Sequence, residues 1–281
     1  MHHTVLNRAQ ASIREQYLHD GYCTSPGLLP ATLIEQASAR MDAVIRGEYP
    51  TGIAPMRSPV SGPRALHKID QVHLSDPLLR DVCTHPAIGA MAAEITGAER
   101  IQLWAVQMLF KPAQGDDSGG IGFHQDCWYW PYWSEDSEVF TAWIALSDIT
   151  SESGPMCVVP RSHTWGALSQ GPIGAFTGGP ILRAAELPCL PAGAKVAEVP
   201  VLLPAGGVSF HHRLMLHGSG VNSSPRPRRA VALHLRTERS RPVQGASDYY
   251  VSHLDDPDHC PVIYERTASI HPVADVIHPV P

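Results

Sequence analysis

The sequence predicts a mainly β fold with flanking helices, built as a sheet sandwich or a closed roll. Two helical patterns occupy the first third of the chain, and from about residue 100 the apolar period changes to two. Short apolar runs bounded by Gly, Pro or Ser then follow one another. Many short strands after a helical start are typical of a rolled or two-layer sheet braced by helices.

The helical part is predicted from two amphipathic stretches. Residues 30–47, "PATLIEQASARMDAVIRG", begin with a proline and place apolar residues on one helical face. Residues 85–97, "HPAIGAMAAEITG", repeat the pattern and end in Gly97, a helix-stop signal. Between them, residues 50–66 are rich in Pro, Gly and Ser, which predicts a loop.

The β part is predicted from six short apolar runs. They are "IQLWAVQMLFK", "VFTAWIALS", "MCVVP", "VPVLLP", "GVSFHH" and "RRAVALHLR". Residues 164–198 interrupt the series with a Gly- and Pro-rich stretch, and a segment that long with little periodicity predicts a functional loop or lid. We expect one domain over residues 1–281, with a helical part to about 98, a β core over about 99–240 and a C-terminal extension.

The composition is that of an ordinary soluble globular protein, without the bias of a disordered chain. Hydrophobic residues make up 43% of the 281 residues and charged residues 17%, with a formal net charge of −6. No stretch is strongly basic, so nucleic acid and membrane are poor candidate partners. Six cysteines without a CxxC pair argue against an iron–sulfur cluster or a zinc ribbon, and they do not suggest a disulfide framework. The first residues lack the apolar stretch of a signal peptide, and we expect a cytoplasmic location. The oligomeric state is not indicated.

A His-x-Asp pair is the first candidate for metal chemistry. His124 and Asp126 are two positions apart, and on a strand such residues point to the same side and can bind one ion. The motif alone is weak, because about one chance match is expected in a chain with 16 histidines. A second copy, His253 and Asp255, lies in the polar stretch "SHLDDPDHC", which predicts a solvated loop.

Two downstream residues strengthen the first copy. His217 ends an apolar run, and Arg228 stands at the head of a well-patterned strand. Two histidines and one carboxylate form the facial triad of non-haem Fe(II) oxygenases, which leaves coordination positions open. An arginine can hold the far carboxylate of a keto acid through two parallel hydrogen bonds.

With these residues in place, the chain resembles the phytanoyl-CoA dioxygenase family of Fe(II)- and 2-oxoglutarate-dependent oxygenases. The matching stretches are "KIDQVHLSDPLLRDVCTHPAIGAMAAEITG", "QMLFKP", "HQD", "AWIALSDITSESGPMCVVPRSH" and "HGSGVNSSPRPRRA". The resemblance implies a double-stranded β-helix, the jelly roll of cupins, with helices outside. It also implies Fe(II), the cosubstrate 2-oxoglutarate and O₂, with oxidation of a small-molecule substrate.

The resemblance also assigns individual residues. His124, Asp126 and His217 match the iron ligands, and Arg228 matches the arginine that pairs with the C5 carboxylate of 2-oxoglutarate. The further positions that match cosubstrate contacts in family members are Ser219, Trp143, Gln107 and Lys68.

Strand alternation favours Arg228 over its neighbour as the anion-binding arginine. Arg228 shares a strand face with small residues, Ala230 and Ala232, and with His234, which leaves room for a bound anion. Arg229 shares its face with Val231, Leu233 and Leu235, which predicts packing against another element.

The aromatic run after the His-x-Asp pair has two interpretations. Trp128, Trp130 and Trp133 are candidates for the wall of a substrate pocket, and ordinary packing of a bulky loop is the alternative. Among the other histidines, we expect His163, His211 and His212 to be structural, with His234 a candidate for the pocket wall. His211 and His212 would point to opposite faces of a strand and could not bind one ion.

The sequence therefore predicts an Fe(II)/2-oxoglutarate-dependent dioxygenase that hydroxylates, or otherwise oxidises, an unactivated C–H of a metabolite. The same residues leave two alternatives open, a divalent-metal hydrolase and a cupin-like binding protein without catalysis. The sequence does not indicate the substrate.

Overall fold

The fold consists of two antiparallel β-sheets, with helices packed against the outer face of the larger sheet. The computed structural model describes residues 12–58, 62–169 and 182–266. The helices are α1 (Ile13–Asp20), α2 (Ala31–Ile45), α3 (Val72–Ser75), α4 (Pro77–Cys83), α5 (Pro86–Thr96) and α6 (Tyr249–Ser252). In chain order the strands are β1 (Tyr22–Ser25), β2 (Met56–Arg57), β3 (His67–Asp70), β4 (Arg100–Lys111), β5 (Ile121–His124), β6 (Val139–Ala145), β7 (Met156–Val158), β8 (Val199–Pro200), β9 (Val208–His212), β10 (His217–Ser219), β11 (Arg228–Thr237) and β12 (Val262–Glu265).

The larger sheet has the strand order β1-β9-β6-β11-β4-β3-β2, and β12 pairs with β4 as well. The smaller sheet has the order β5-β10-β7-β8. This jelly-roll-type arrangement confirms the mainly β prediction with flanking helices. Within the described residues the two sheets remain separate and do not close into a barrel.

The two faces of the larger sheet have different partners. Val231, Leu233 and Leu235 of β11 belong to the main core, which also contains buried residues of α2 and α5. Ala230 and Ala232 face the smaller sheet and pack in a second core. Small residues on that inner face leave space between the sheets, where the functional site lies.

The predicted helices have the ends that their sequences indicate. α2 begins directly after Pro30, and α5 ends at Gly97, whose φ of 68° is in the left-handed region that favours glycine. α1, which the sequence patterns did not single out, begins with a capping box between Ser12 and Glu15.

Two boundaries of the predicted layout are wrong. The first third is not purely helical, because β1, β2 and β3 lie within it and join the larger sheet. The β structure also continues past residue 240, since β12 pairs with β4. These strands have two to four residues, too few for a period of two to stand out. The run "VPVLLP" is strand only at Val199–Pro200.

The other five apolar runs named above contain strands, as predicted. No helix among the described residues is long and apolar enough to cross a membrane. His253 and Asp255 lie after α6 with His253 at its C-cap, away from regular strand, as the sequence predicted for the second His-x-Asp pair.

Candidate active site

A cavity of about 290 Å³ lies between the two sheets. The smaller sheet contributes His124 and His217 to its wall, and the larger sheet contributes Arg228 and His234. The site therefore depends on how the sheets pack together, and not on one continuous segment of chain.

The His-Asp-His group is assembled at the edge of this cavity. His124 ends β5 and is the register partner of His217, which begins β10. The carboxylate Oδ1 of Asp126 lies 3.9 Å from His124 Nε2 and 3.8 Å from His217 Nε2. One ligand atom from each residue lies within 4.8 Å of the others. Side chains from two separate parts of the sequence, residues 124–126 and residue 217, are thus brought together.

The local geometry of the pair differs from the prediction in one respect. β5 ends at His124, and Asp126 begins a short 3-10 helix, Asp126–Tyr129. Gln125, between the two residues, is nevertheless extended, with φ −105° and ψ 137°. The predicted alternation therefore still holds over these three residues and places both side chains on the same side.

Backbone carbonyls orient both imidazoles. His124 Nδ1–H donates to Gly122 O at 2.8 Å, and His217 Nδ1–H donates to Met215 O at 2.9 Å. With Nδ1 carrying the proton, each Nε2 presents a lone pair toward the other ligands. Burial lowers the pKa of both histidines, which favours the neutral, metal-binding form.

The Asp126 carboxylate uses its two oxygens differently. Oδ1 faces the two histidines, whereas Oδ2 accepts a hydrogen bond from the Thr141 hydroxyl at 2.7 Å. Burial opposes its ionisation, but His217 and His211 outweigh burial and hold the pKa of Asp126 below its ordinary range. The carboxylate is therefore charged and oriented for binding through one oxygen.

His211 lies closer to this site than the sequence indicated. Its Nε2 is 3.3 Å from Asp126 Oδ2, and its ring lines the cavity, so a purely structural interpretation is wrong. Its neighbour His212 lies on the opposite face, near Tyr17 and His163, as alternation predicted.

The donor set of His124, Asp126 and His217 fits Fe(II). Two imidazole nitrogens and one carboxylate oxygen on one side of a cavity fit an octahedral Fe(II) ion with open positions.

Arg228 provides a second charged feature of the cavity. The residue is 1% exposed, and its Nε and Nη2 have no hydrogen-bond partner among the described residues. Burial lowers the pKa of the guanidinium to about 9. Its Cζ lies 5.4 Å from the centre of the Trp143 ring. A buried guanidinium with unused donors fits a carboxylate ligand that would accept from both nitrogens.

Arg229 is engaged elsewhere. Its Nε and Nη2 donate to the two carboxylate oxygens of Asp42 at 2.9 and 2.7 Å. Asp42 belongs to α2, so this arginine ties the helix layer to the sheet, as the apolar face of the strand predicted.

The other residues predicted to contact the cosubstrate, Ser219, Lys68, Trp143 and Gln107, all line the cavity, and they differ in the partners they have there. Ser219 accepts a hydrogen bond at 2.6 Å from Lys111, a buried lysine that the sequence analysis did not single out. Lys68 forms an ion pair with Asp70 at 2.7 Å. Trp143 and Gln107 stand on β6 and β4. Their contact with 2-oxoglutarate stays a prediction.

The aromatic run is divided between the two interpretations. Trp130 lines the cavity, but Trp128 and Trp133 are not among the lining residues. Trp128 Nε1 donates to Leu168 O at 2.7 Å, and Trp133 is buried against Trp104 with 5.6 Å between ring centres. Of the three candidates, Trp130 alone is among the residues that line this cavity, because the chain coils after Asp126 instead of continuing as a strand. A contact between Trp130 and substrate stays a prediction.

Other aromatic side chains that the sequence analysis did not assign complete this wall. Trp104 contacts Trp130 with 5.0 Å between ring centres and Tyr250 with 5.9 Å. Tyr132 and Tyr250 stack on each other, with an angle of 29° between their ring planes. Tyr250 comes from the C-terminal extension, so this extension closes one side of the cavity. No local motif marks Tyr250, because tertiary contacts hold it at the site, among them the hydrogen bond from its hydroxyl to Asp70 Oδ2 at 3.3 Å.

The two predicted lid segments are described in part. Ser58, from the first of them, lines the cavity, and residues 59–61 of that segment lie outside the described residues. Residues 170–181 of the second segment also lie outside them. Closure by either segment stays a prediction.

Comparisons with known proteins identify the family of this chain. The family model for phytanoyl-CoA dioxygenase (PhyH) matches residues 17–230. A probable phytanoyl-CoA dioxygenase of Caenorhabditis elegans is 27% identical over 176 residues, which cover 62% of this chain and 55% of that protein. The peroxisomal phytanoyl-CoA dioxygenase of Homo sapiens is 24% identical over 229 residues, covering 79% and 66%. The chain thus spans between about half and two thirds of the length of these relatives.

Solved structures of similar fold include two enzymes of nogalamycin biosynthesis. The non-heme alpha-ketoglutarate-dependent epimerase SnoN is 25% identical, with a TM-score of 0.66 over 84% of this chain and 86% of SnoN. The carbocyclase SnoK, also alpha-ketoglutarate-dependent, is 25% identical, with a TM-score of 0.65 over 88% and 92%. The match of the family model over most of the chain, together with the geometry above, shows that the chain belongs to the phytanoyl-CoA dioxygenase (PhyH) family.

Proposed function

We propose that this chain is an Fe(II)- and 2-oxoglutarate-dependent oxygenase that oxidises an unactivated C–H bond of a small metabolite. In its hydroxylating form the reaction converts substrate, 2-oxoglutarate and O₂ into hydroxylated substrate, succinate and CO₂. The observation that carries the proposal is the pairing of two features in one cavity. A His-Asp-His group that fits Fe(II) shares its walls with a buried arginine that has unused donors.

The protein's own residues would bind and orient the reactants. His124, Asp126 and His217 would hold the metal, and Arg228 would bind the C5 carboxylate of 2-oxoglutarate with Ser219 as a second donor. Bound iron and cosubstrate supply the oxidising chemistry that removes a hydrogen atom from the substrate. The burial of these side chains between two sheets would exclude water from the reacting groups.

Two other functions remain as alternatives to test. A divalent-metal hydrolase could use the same triad, and a cupin-like protein could bind ligands without catalysis. Neither alternative requires a buried arginine at the position of Arg228. Burial of its unpaired donors is energetically unfavourable unless an anion binds to them. The arginine therefore favours the oxygenase.

The product of substrate oxidation has to be determined separately from the reaction class. The solved relatives named above are an epimerase and a carbocyclase, so related sites support outcomes other than hydroxylation. We propose hydroxylation as the first outcome to test, on a small molecule and in the cytoplasm. The peroxisomal relatives make location a question for experiment.

The test is a succinate assay on the full chain with Fe(II), 2-oxoglutarate and O₂. We expect slow succinate formation without substrate, dependent on all three components and lost in His217→Ala. Arg229→Gln is the control, because Arg229 lies outside the cavity wall. Succinate formation that continues in His217→Ala, or none in the wild type, would contradict the proposal. Metal-dependent hydrolysis without O₂ would support the hydrolase.

A further inference from the structure

A row of polar side chains crosses the inner face of the larger sheet beside the triad. His234 on β11 is the register partner of Thr141 on β6, and Thr141 is the register partner of His211 on β9. Directly opposite residues point to the same face of a sheet, so the three side chains lie in line. All three are buried and line the cavity.

The hydrogen bonds in this row have a fixed direction. A charged carboxylate can only accept, so the Thr141 hydroxyl donates its single hydrogen to Asp126 Oδ2 at 2.7 Å. Thr141 Oγ1 also lies 3.0 Å from His234 Nδ1. Because the hydroxyl hydrogen is already used, Nδ1 must carry a proton and donate to Thr141.

This direction determines which tautomer His234 adopts. Burial lowers the pKa of His234 to about 4, so the ring is neutral near pH 7 and carries one proton. With that proton on Nδ1, Nε2 is a bare hydrogen-bond acceptor. Nε2 is buried and has no partner among the described residues. A buried acceptor left without a donor is unfavourable, which indicates that a ligand completes it.

The surroundings of His234 indicate what kind of ligand this is. Its ring lies 4.8 Å from the Trp130 ring and 5.4 Å from the Trp104 ring, measured between centres. Tyr132 and Tyr250 extend the same wall. These rings offer flat apolar surface, and the charge of Lys68 on this wall is balanced by Asp70.

We propose that His234 Nε2 accepts a hydrogen bond from a hydroxyl or N–H group on a flat, largely apolar substrate, and so selects which molecules bind. The proposal rests on the proposed function, because it concerns the substrate part of the same cavity. Asp126, Thr141 and His234 are joined by consecutive hydrogen bonds. Thr141 therefore orients the carboxylate proposed to bind the metal and also fixes the tautomer of His234, whose Nε2 the substrate would meet. His234 is a binding residue in this account and takes no part in proton transfer.

The first test measures which ring nitrogen of His234 carries the proton. Long-range ¹H–¹⁵N correlation spectra of the full chain, with and without Zn(II) in place of iron, distinguish a protonated from a bare Nε2. We expect His234 to carry its proton on Nδ1 in the wild type and in Thr141→Ser, which keeps the hydroxyl. In Thr141→Val the constraint is removed, and we expect the proton to redistribute between the two nitrogens.

The second test uses matched probes, indole and 1-methylindole, on the Zn(II)-loaded chain with 2-oxoglutarate. Both are flat and apolar, but only indole has an N–H. We expect indole to shift the His234 Nε2 resonance and to bind roughly three- to tenfold more tightly than 1-methylindole, as one net hydrogen bond predicts. The preference should persist in Thr141→Ser, fall in Thr141→Val and vanish in His234→Phe.

Three results would overturn the proposal. They are a proton on Nε2 in the wild type, an Nε2 resonance that indole leaves unmoved, and an indole preference that survives His234→Phe. The succinate assay is independent of these probes. A chain that forms succinate but fails the indole test retains the oxygenase function and loses only this inference. A chain that makes no succinate loses the oxygenase proposal itself.

Discussion

Arg228 and Lys111 occupy directly opposite positions on neighbouring strands, so two cationic side chains share one buried corner of the molecule. Lys111 donates to Ser219 Oγ at 2.6 Å and to the carbonyl of Gly220. Burial, together with the nearby Arg228, lowers the pKa of Lys111 well below its ordinary value. Two buried groups of like charge oppose folding unless an anion offsets them. We therefore expect this corner to bind a carboxylate tightly.

The first prediction concerns the two neighbouring arginines. Arg228→Gln should raise the 2-oxoglutarate requirement by roughly 100-fold or more, because one partner of a buried ion pair typically accounts for about 3–5 kcal/mol. Arg229→Gln should leave that requirement unchanged and lower stability instead, since Arg229 binds Asp42. Titration of both variants with 2-oxoglutarate in the succinate assay measures this. The reverse ranking would move the anion site to Arg229.

The second prediction concerns Lys111. By occupying a lone pair of Ser219 Oγ, the lysine leaves the serine hydrogen to donate to a ligand. Lys111→Met should weaken 2-oxoglutarate binding roughly 10- to 100-fold, the effect of a hydrogen bond to a charged group. The free energy of unfolding should fall by at most about 1–3 kcal/mol, because Ser219 Oγ and the carbonyl of Gly220 lose their donor, and the removal of a buried cation offsets part of this loss.

Lys195→Met is the matched control, since Lys195 is exposed and is not among the residues that line the cavity. Calorimetric titration with 2-oxoglutarate and thermal unfolding measure both quantities. If Lys111→Met binds 2-oxoglutarate as the wild type does, Lys111 is only a structural residue.

At the scale of elements, a bulge in β4 decides which aromatic residues reach the cavity. The register with β11 slips between the pairs His234–Ala105 and Leu235–Leu103, which leaves Trp104 as the extra residue. On either side of the slip, Leu103 and Val106 both face the helix layer. Trp104 and Ala105 therefore both face the cavity. A period-of-two pattern cannot show such a slip, so the sequence did not identify Trp104.

The proximity of the His-Asp-His group and the different surroundings of Arg228 and Arg229 were predictable, because they combine a motif with strand alternation. His124 and His217 stand at strand ends, and Arg228 shares a face with Ala230 and Ala232. Thr141 was accessible to the same reasoning, since it lies two positions before Trp143 on β6. Tyr250 was not, because its place depends on a tertiary contact of the C-terminal extension.

The third prediction concerns that contact. Gln102 is buried, and its Nε2 donates to Leu254 O at 2.8 Å and to Cys260 O at 2.6 Å. Gln102→Leu leaves these carbonyls without a donor, which should cost about 1–3 kcal/mol. We expect faster amide hydrogen exchange over residues 249–265 and unchanged exchange in α2. Uniform acceleration, or none, would show that the extension is not held by this side chain.

At the scale of the whole molecule, several buried histidines link stability to pH. Burial lowers the pKa of His73, His212 and His234 to about 4, against 6.5 in the unfolded chain. Below pH 6.5 the unfolded chain binds protons that the folded chain excludes. The stabilisation is therefore complete above pH 6.5 and is lost as the pH falls toward 4.

The fourth prediction is the size of this effect. The free energy of unfolding should fall between pH 6.5 and 4 by up to ~1.4 kcal/mol per pH unit for each of these histidines. His73→Gln should reduce the slope, since glutamine can still donate to His259 O but does not titrate. His253→Gln is the control, because His253 is partly exposed beyond the core. Denaturant unfolding at several pH values measures the slope, and equal slopes in all three proteins would contradict the account.

The central claim is that one cavity between the sheets holds one Fe(II) and one 2-oxoglutarate through His124, Asp126, His217 and Arg228. The most direct measurement is an anaerobic titration of the Fe(II)-loaded chain with 2-oxoglutarate, followed by the visible charge-transfer band of a chelated keto acid. We predict a saturable band at one equivalent of each per chain, absent in Asp126→Ala and shifted to much higher 2-oxoglutarate concentration in Arg228→Gln. The absence of a band in the wild type, or an unchanged band in Asp126→Ala, would contradict the account.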